Sequence, residues 1–251
     1  MDYILVRYVF SFVFSTLFAA YLVPILIKAA FRFNVLDVPD GKIKNHEKAV
    51  PYLGGVAIYI PFIATLAISY PFENKILWLL LGVSLLLFIG LIDDLSILKP
   101  SQKFFGQFLA VICFLKGGFS LKTNFFSDIF NVALSGFWML SVINAFNLVD
   151  VMDGLATILA IVAGLAFLII SILLKLHYVS ILILAFLGPL FVYFFYNKPP
   201  ARIYLGDAGS MFVGGFLSAI PLLFPWSSCG LDAYYTPVII LGIPLLEVFS
   251  L

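Results

Sequence analysis

The strongest constraint on this chain is that apolar runs long enough to occupy a bilayer recur along its whole length, with few charges inside them. They fall at residues 3–30, 53–70, 76–92, 104–115, 132–146, 155–174, 179–196, 211–225 and 235–251. A backbone in lipid must satisfy its polar groups internally, which leaves helices or a closed barrel. Barrel strands read as short alternating segments, whereas these runs are continuous and rich in Leu, Ile and Phe. The expectation is an all-α, polytopic helical membrane protein with about nine transmembrane helices in one domain over residues 1–251. Composition agrees, with 63% hydrophobic and 11% charged residues, against about half and a quarter in a soluble domain. A net charge of +1 supplies no global field for nucleic acid, so no nucleic-acid partner is expected. Cys113 and Cys229 match no ligand spacing, which argues against a disulfide framework or a cysteine zinc site. The first run opens with Asp2, without a basic leader or a small-residue cleavage site, and reads as a retained span.

Nine spans put alternate loops on opposite faces. One face collects nine basic residues (Lys28, Arg32, Lys42, Lys44, Lys48, Lys99, Lys103, Lys198 and Arg202) against five on the other. That bias marks the first face as cytoplasmic and puts the N-terminus outside. The same face collects Asp37, Asp40, Glu47, Asp93, Asp94, Asp150, Asp153 and Asp207. Acids contribute little to topology, and charge at span ends is costly. A cation or a reaction is therefore expected to hold them there.

Four constellations stand out on that face. Asp93-Asp94 closes the third run, where like-charge repulsion and a helix C-terminus both disfavour ionisation. A divalent cation with a taste for hard oxygen reverses that penalty; the plainer reading is a solvated pair bonded to Lys99 or Lys103. Asn144, Asn147, Asp150 and Asp153 recur every three residues, so a helical or 3₁₀ path lines them on one face. Capping of the sixth span accounts for Asp153 alone. Gly206-Asp207-Ala208-Gly209-Ser210 opens the eighth run, where free N–H groups suit phosphate, although capping by Asp207 or Ser210 competes. The loop 37–55 carries Lys42, Lys44 and His46; in extended chain the two lysines share a face that suits a pyrophosphate, and a topology-setting basic loop is the alternative. Acids suited to a divalent ion and bases suited to phosphate on one face read as Mg²⁺-dependent phosphoryl chemistry at a membrane surface.

These motifs resemble the polyprenyl-phosphate N-acetylhexosamine-1-phosphate transferases. The matching residues are Asp93-Asp94, the segment from Asn144 through Asn147, Asp150 and Asp153 to Leu155, the Gly206–Ser210 block, and the 37–55 loop with His46, Pro51 and Gly54-Gly55. The Asn-Ala-Phe-Asn wording is closer to the N-acetylglucosamine branch than to the muramoyl-pentapeptide branch. The resemblance implies transfer of a sugar 1-phosphate from a UDP-N-acetylhexosamine to undecaprenyl or another polyprenyl phosphate. The reaction releases UMP and feeds cell-wall or surface polysaccharide synthesis, including lipopolysaccharide. It implies a multi-pass protein of the inner (plasma) membrane with a cytoplasmic active site; Mg²⁺ as cofactor, with Mn²⁺ as a substitute; and room for a homodimer. Carried over, Asp93 and Asp94 are catalytic, and Asp207, Asp94 and Asn147 hold the metal. Lys42, Lys44, His46, Asn144, Asn147, Asp150 and Asp153 bind substrate. The family carries a His-rich motif in a later cytoplasmic loop followed by a further span, so the expectation is a chain truncated before that loop. Glu247 stands where the family pattern calls for Asp.

Two routes are open at this stage. An Asp of the 93–94 pair either takes the last proton of the lipid phosphate or attacks first and forms an acyl-phosphate. Readings from other classes are an ion-coupled transporter, which would call for paired halves and charge near the midplane, and an inactive membrane scaffold.

Overall fold

The computed structural model describes residues 2–37, 49–71, 73–96, 98–123 and 125–250. The order is α1 (Asp2–Phe33), β1 (Leu36–Asp37), β2 (Val50–Pro51), α2 (Gly54–Ser69), α3 (Asn74–Leu95), α4 (Pro100–Lys116), α5 (Asp128–Val149), α6 (Leu155–Leu173), α7 (His177–Asn197), α8 (Gly206–Ala219), α9 (Thr236–Ile240) and α10 (Gly242–Ser250). Helix α8 runs on into a 3₁₀ turn, Ile220–Leu223.

The all-α, multi-pass reading holds, but the count of nine spans is not confirmed. Six helices are long and apolar enough to cross a membrane, and a seventh counts if α9 and α10 form one span bent by 70°. Helices α2 and α4, at 16 and 17 residues, fall short of the roughly 20 residues a bilayer needs. Hydropathy reports composition and is blind to both helix length after capping and bends.

Local chemistry sets the helix ends. Pro100 opens α4, and the Lys99 N–H donates to Gln102 Oε1 at 3.0 Å. Ser127 caps α5 by accepting from the Phe130 N–H. Gly154, in the left-handed region, caps α6, so Asp153 is not that helix's cap as one sequence reading had it.

The bundle is built around α8, whose residues from Ala208 to Ala219 are all buried. It packs on α2, α3 and α5, while α1 leans on α7 and α2. Phe62, Phe186, Phe212 and Phe216 interlock at its centre, with the Phe186 and Phe216 rings stacked 4.2 Å apart. The outer surface is the reverse of a soluble protein's: Leu17, Phe33, Phe105, Ile169 and Phe195 are all exposed, as suits a surface bounded by lipid. Inside, polar groups pair across helices, as Thr157 Oγ1 does with Asn197 Oδ1 at 2.7 Å. Among the described residues only Ser11 Oγ is buried without a partner.

Candidate active site

The C-terminal end of α3 meets the N-terminal end of α8. They approach this closely because Gly90 has no side chain: a Cβ there would lie 2.4 Å from Ala208 Cα. One turn beyond Gly90, Asp94 reaches the free N–H groups of α8. Its Oδ1 accepts from the Asp207 N–H at 2.8 Å and its Oδ2 from the Ala208 N–H at 3.1 Å. Helix α8 has no side-chain cap of its own, since Leu205 stands at its N-cap. Asp94 therefore caps it from 113 residues away, placing a carboxylate against the positive end of the helix dipole. Gly206 adopts φ +71°, and a Cβ there would sit 2.7 Å from Asp94 Oδ2, so the turn requires glycine twice over.

Asp93 faces the other way. Its Oδ1 accepts from the Leu98 N–H at 2.8 Å, and its Oδ2 pairs with Lys103 Nζ at 3.0 Å. The same ammonium lies 2.9 Å from Asp207 Oδ2. Asn147 Nδ2 donates to Asp207 Oδ1 and to Ser210 Oγ. Three distant segments (residues 93–94, 147 and 207) thus meet at one point, as the motif reading expected. Lys103, considered from the sequence only as a partner for the acid pair, bridges two of the three acids. Its signal was its position: a short loop after Asp94 returns it to the same end of the bundle.

The Asn/Asp series does not present one continuous wall. Asn144 lies a turn deeper and exchanges hydrogen bonds with the Gln107 amide at 3.2 and 3.0 Å, also donating to the Leu140 carbonyl at 2.8 Å. Asp150 ends α5 close to the Gly206 N–H. Burial, then the charges of Asp207, Asp94 and Asp153, pushes its carboxyl well above the usual carboxylate range, against the pull of that N–H. Asp153 Oδ2 accepts from the Ala201 N–H at 2.9 Å, tying the α5–α6 turn to the α7–α8 loop. A three-residue spacing aligned these side chains only while the helix lasted; past Val149 the chain turns and each acid meets a different neighbour.

Lys42, Lys44 and His46 lie outside the described residues. The strands flanking their loop are anchored at this end: the Tyr204 N–H donates to the Pro51 carbonyl at 2.8 Å, and the Gly54 N–H to the Tyr204 carbonyl at 3.1 Å.

The donor set suits a hard cation. Asp93, Asp207 and the Asn147 carbonyl oxygen are oxygen donors, and the Lys103 ammonium already bridges the two carboxylates. Among the described residues no three His, Cys, Asp or Glu side chains form a ready-made metal cage. Magnesium seldom needs one, because it binds one or two carboxylates and keeps waters and phosphates.

The family model for glycosyl transferase family 4 matches residues 76–224, the stretch that contains every acid of this cluster. The chain is 32% identical over 263 residues to the "Probable undecaprenyl-phosphate N-acetylglucosaminyl 1-phosphate transferase" of Bacillus subtilis, covering 98% of this chain and 71% of the relative. The chain belongs to glycosyl transferase family 4. Other family 4 relatives are a phospho-N-acetylmuramoyl-pentapeptide-transferase of Bacillus cytotoxicus, 29% identical over 85% of this chain and 72% of that protein, and one of Listeria monocytogenes serotype 4b, 31% identical with the same coverage. Sequence and structure together make this a multi-pass membrane member of family 4.

Proposed function

We propose that this protein transfers a sugar 1-phosphate, N-acetylglucosamine 1-phosphate in the first instance, from its UDP carrier to undecaprenyl phosphate, releasing UMP. The observation that carries this reading is the convergence of Asp93, Asp94, Asn147 and Asp207 at one end of the bundle, with Lys103 bridging Asp93 and Asp207. The relatives' names supply the substrate class. The excess of basic residues in the loops at this end supports a cytoplasmic active site in the plasma membrane, with the N-terminus outside.

In the direct route an oxygen of the lipid phosphate attacks the sugar-bearing phosphorus of the UDP-sugar. The bond from that phosphorus to the bridging oxygen breaks, and UMP leaves with the electron pair. Asp93 is the better placed base for the last proton of the lipid phosphate, because its Oδ2 is held by the Lys103 ammonium, a side chain that can turn to the incoming phosphates, whereas both oxygens of Asp94 are fixed by backbone N–H groups of α8. Asp94 is then a positioning residue that holds α8, and with it Asp207, against α3. Lys103 offsets charge on the phosphates, while Asn147 orients Asp207. Asp207, Asp93 and the Asn147 carbonyl would hold Mg²⁺; Asp94, expected among the ligands from the motif, is already spent on the helix end. When bound, the ion screens the pyrophosphate and stabilises the leaving UMP.

The covalent route would use the same Asp93 as nucleophile. One displacement inverts configuration at phosphorus and two retain it, so a chiral-phosphorothioate donor separates them. An ion-coupled transporter calls for charge near the bilayer midplane, whereas these acids sit at helix ends. The test is UMP release from UDP-N-acetylglucosamine and undecaprenyl phosphate by the protein in detergent with Mg²⁺. Release that EDTA and Asp207→Asn both abolish supports the reading. No release from folded protein, with either UDP-N-acetylglucosamine or UDP-muramoyl-pentapeptide, overturns it.

A further inference from the structure

Two adjoining cavities lie at the end of the bundle away from the acids. The smaller, about 220 Å³, is faced by Lys75, Ser120, Lys122 and Trp226. The larger, about 1120 Å³, is apolar and runs between α5 and the bent α9–α10 pair, past Leu134, Phe137, Val238 and Leu245. Leu121, Leu222, Trp226 and Tyr234 face both, so the two form one space with a cationic head and an apolar body.

Lys75 opens α3 and Asp94 closes it. At 1.5 Å per residue they stand about 28 Å apart along the helix, close to the hydrocarbon thickness of a bilayer. A phosphate held at this head is therefore on the other face of the membrane from the candidate active site. Among the described residues neither Lys75 nor Lys122 forms an ion pair. Lys75 Nζ instead stands 5.1 Å above the Phe119 ring, and the Tyr234 hydroxyl donates to the Lys122 carbonyl at 3.0 Å, fixing that segment. Glu73, next to Lys75 in the chain, and Asp232, at the edge of the larger cavity, are both exposed to solvent. Trp226, Tyr234 and Tyr235 ring the site as aromatic side chains do at a membrane–water boundary.

We propose that this space binds an anionic diacyl phospholipid of the leaflet opposite the active site. Its phosphate lies between Lys75 and Lys122, and an acyl chain fills the apolar cavity along α5. Two adjacent cations that form no ion pair among the described residues, over an apolar space, match a headgroup of net negative charge and discriminate against a zwitterionic one. The proposal is independent of the transferase reading, since it uses none of the residues of that site.

The test is native mass spectrometry of the delipidated protein given equal amounts of phosphatidylglycerol and phosphatidylcholine, with size-exclusion profiles confirming that variants fold. Phosphatidylglycerol should be retained roughly tenfold over phosphatidylcholine, at about a few-fold per lysine. Lys75→Ala with Lys122→Ala should bring that ratio to about one, and Leu134→Trp, which narrows the apolar cavity, should lower retention with both charges intact. Equal retention by the parent, an unchanged ratio in the double variant, or undiminished retention in Leu134→Trp overturns the proposal. So does displacement of the lipid by inorganic phosphate, which assigns the head to a free anion. A change in oligomeric mass in the double variant without loss of lipid preference assigns the surface to a second copy of the chain and likewise overturns it.

Discussion

The two ends of α3 carry opposite charges, and each is the charge a helix disfavours at that end. Lys75 sits at the N-terminus, where the dipole is positive, and Asp93-Asp94 at the C-terminus, where it is negative. Intrinsic helix stability therefore explains neither. The ends differ in how the misplaced charge is met. At the acidic end it is wired into the fold: α8 N–H groups hold Asp94, and Lys103 and the Leu98 N–H hold Asp93. At the basic end Lys75 has an aromatic face and an open cavity. A fully bonded cluster suits reacting groups that must keep their geometry, while an open one suits a ligand that supplies the missing charge.

The sharpest way to break that comparison is to cut one wire at the acidic end. Asp207→Asn removes the charge that Lys103 and Asn147 organise, and UMP release should fall by roughly 10³-fold, with little change in detergent melting temperature. Asp94 and Asp93 should then separate. Asp94→Ala leaves two N–H groups of α8 without their acceptor, so it should destabilise the fold by about 2–3 kcal/mol as well as lower activity. Asp93→Ala should lower activity at nearly parental stability. Equal destabilisation by the two would contradict the capping role. Smaller still is the amide pair within the membrane. Asn144→Leu and Gln107→Leu, combined in a double-mutant cycle on thermal unfolding, should show a coupling of about 1 kcal/mol; no coupling would restore Asn144 to the list of free substrate ligands.

The smallest effect is one of pH. The raised Asp150 carboxyl keeps its proton in the folded protein after the unfolded chain has released its own, so its contribution to stability falls as pH rises from about 4 toward the folded value. Asp150→Asn removes that loss. In metal-free detergent it should melt above the parent by on the order of 2 °C at neutral pH and show no advantage near pH 4. An advantage that grows as pH falls would reverse the sign and refute the burial argument.

Much of the site could be read before the fold was known, and the part that could not has a physical cause. Asp93-Asp94 and Asp207 were identifiable because charge at the end of an apolar run is costly wherever the run packs, and Asn147 because it shares the three-residue spacing of Asp150 and Asp153. Asn144 was grouped with them by its three-residue spacing from Asn147, yet its amide meets Gln107. Spacing says which side chains share a helix face and nothing about which neighbouring helix opposes that face at each level. Asp153 had the right position to cap α6 and bonds Ala201 instead, because Gly154 takes the cap. The two lysines facing the far cavity carried no local signal, being single charges 47 positions apart in the sequence.

Membrane class, helical content and the face that gathers the acids follow from hydropathy and charge alone. Those properties are sums over local segments: burying backbone in lipid demands helices whatever their partners, and unpaired charge is expelled to their ends. The division of labour between adjacent carboxylates belongs to the tertiary structure. Asp93 and Asp94 are chemically identical neighbours, and only the approach of α8, permitted by Gly90 and Gly206, makes one a helix cap and leaves the other facing Lys103.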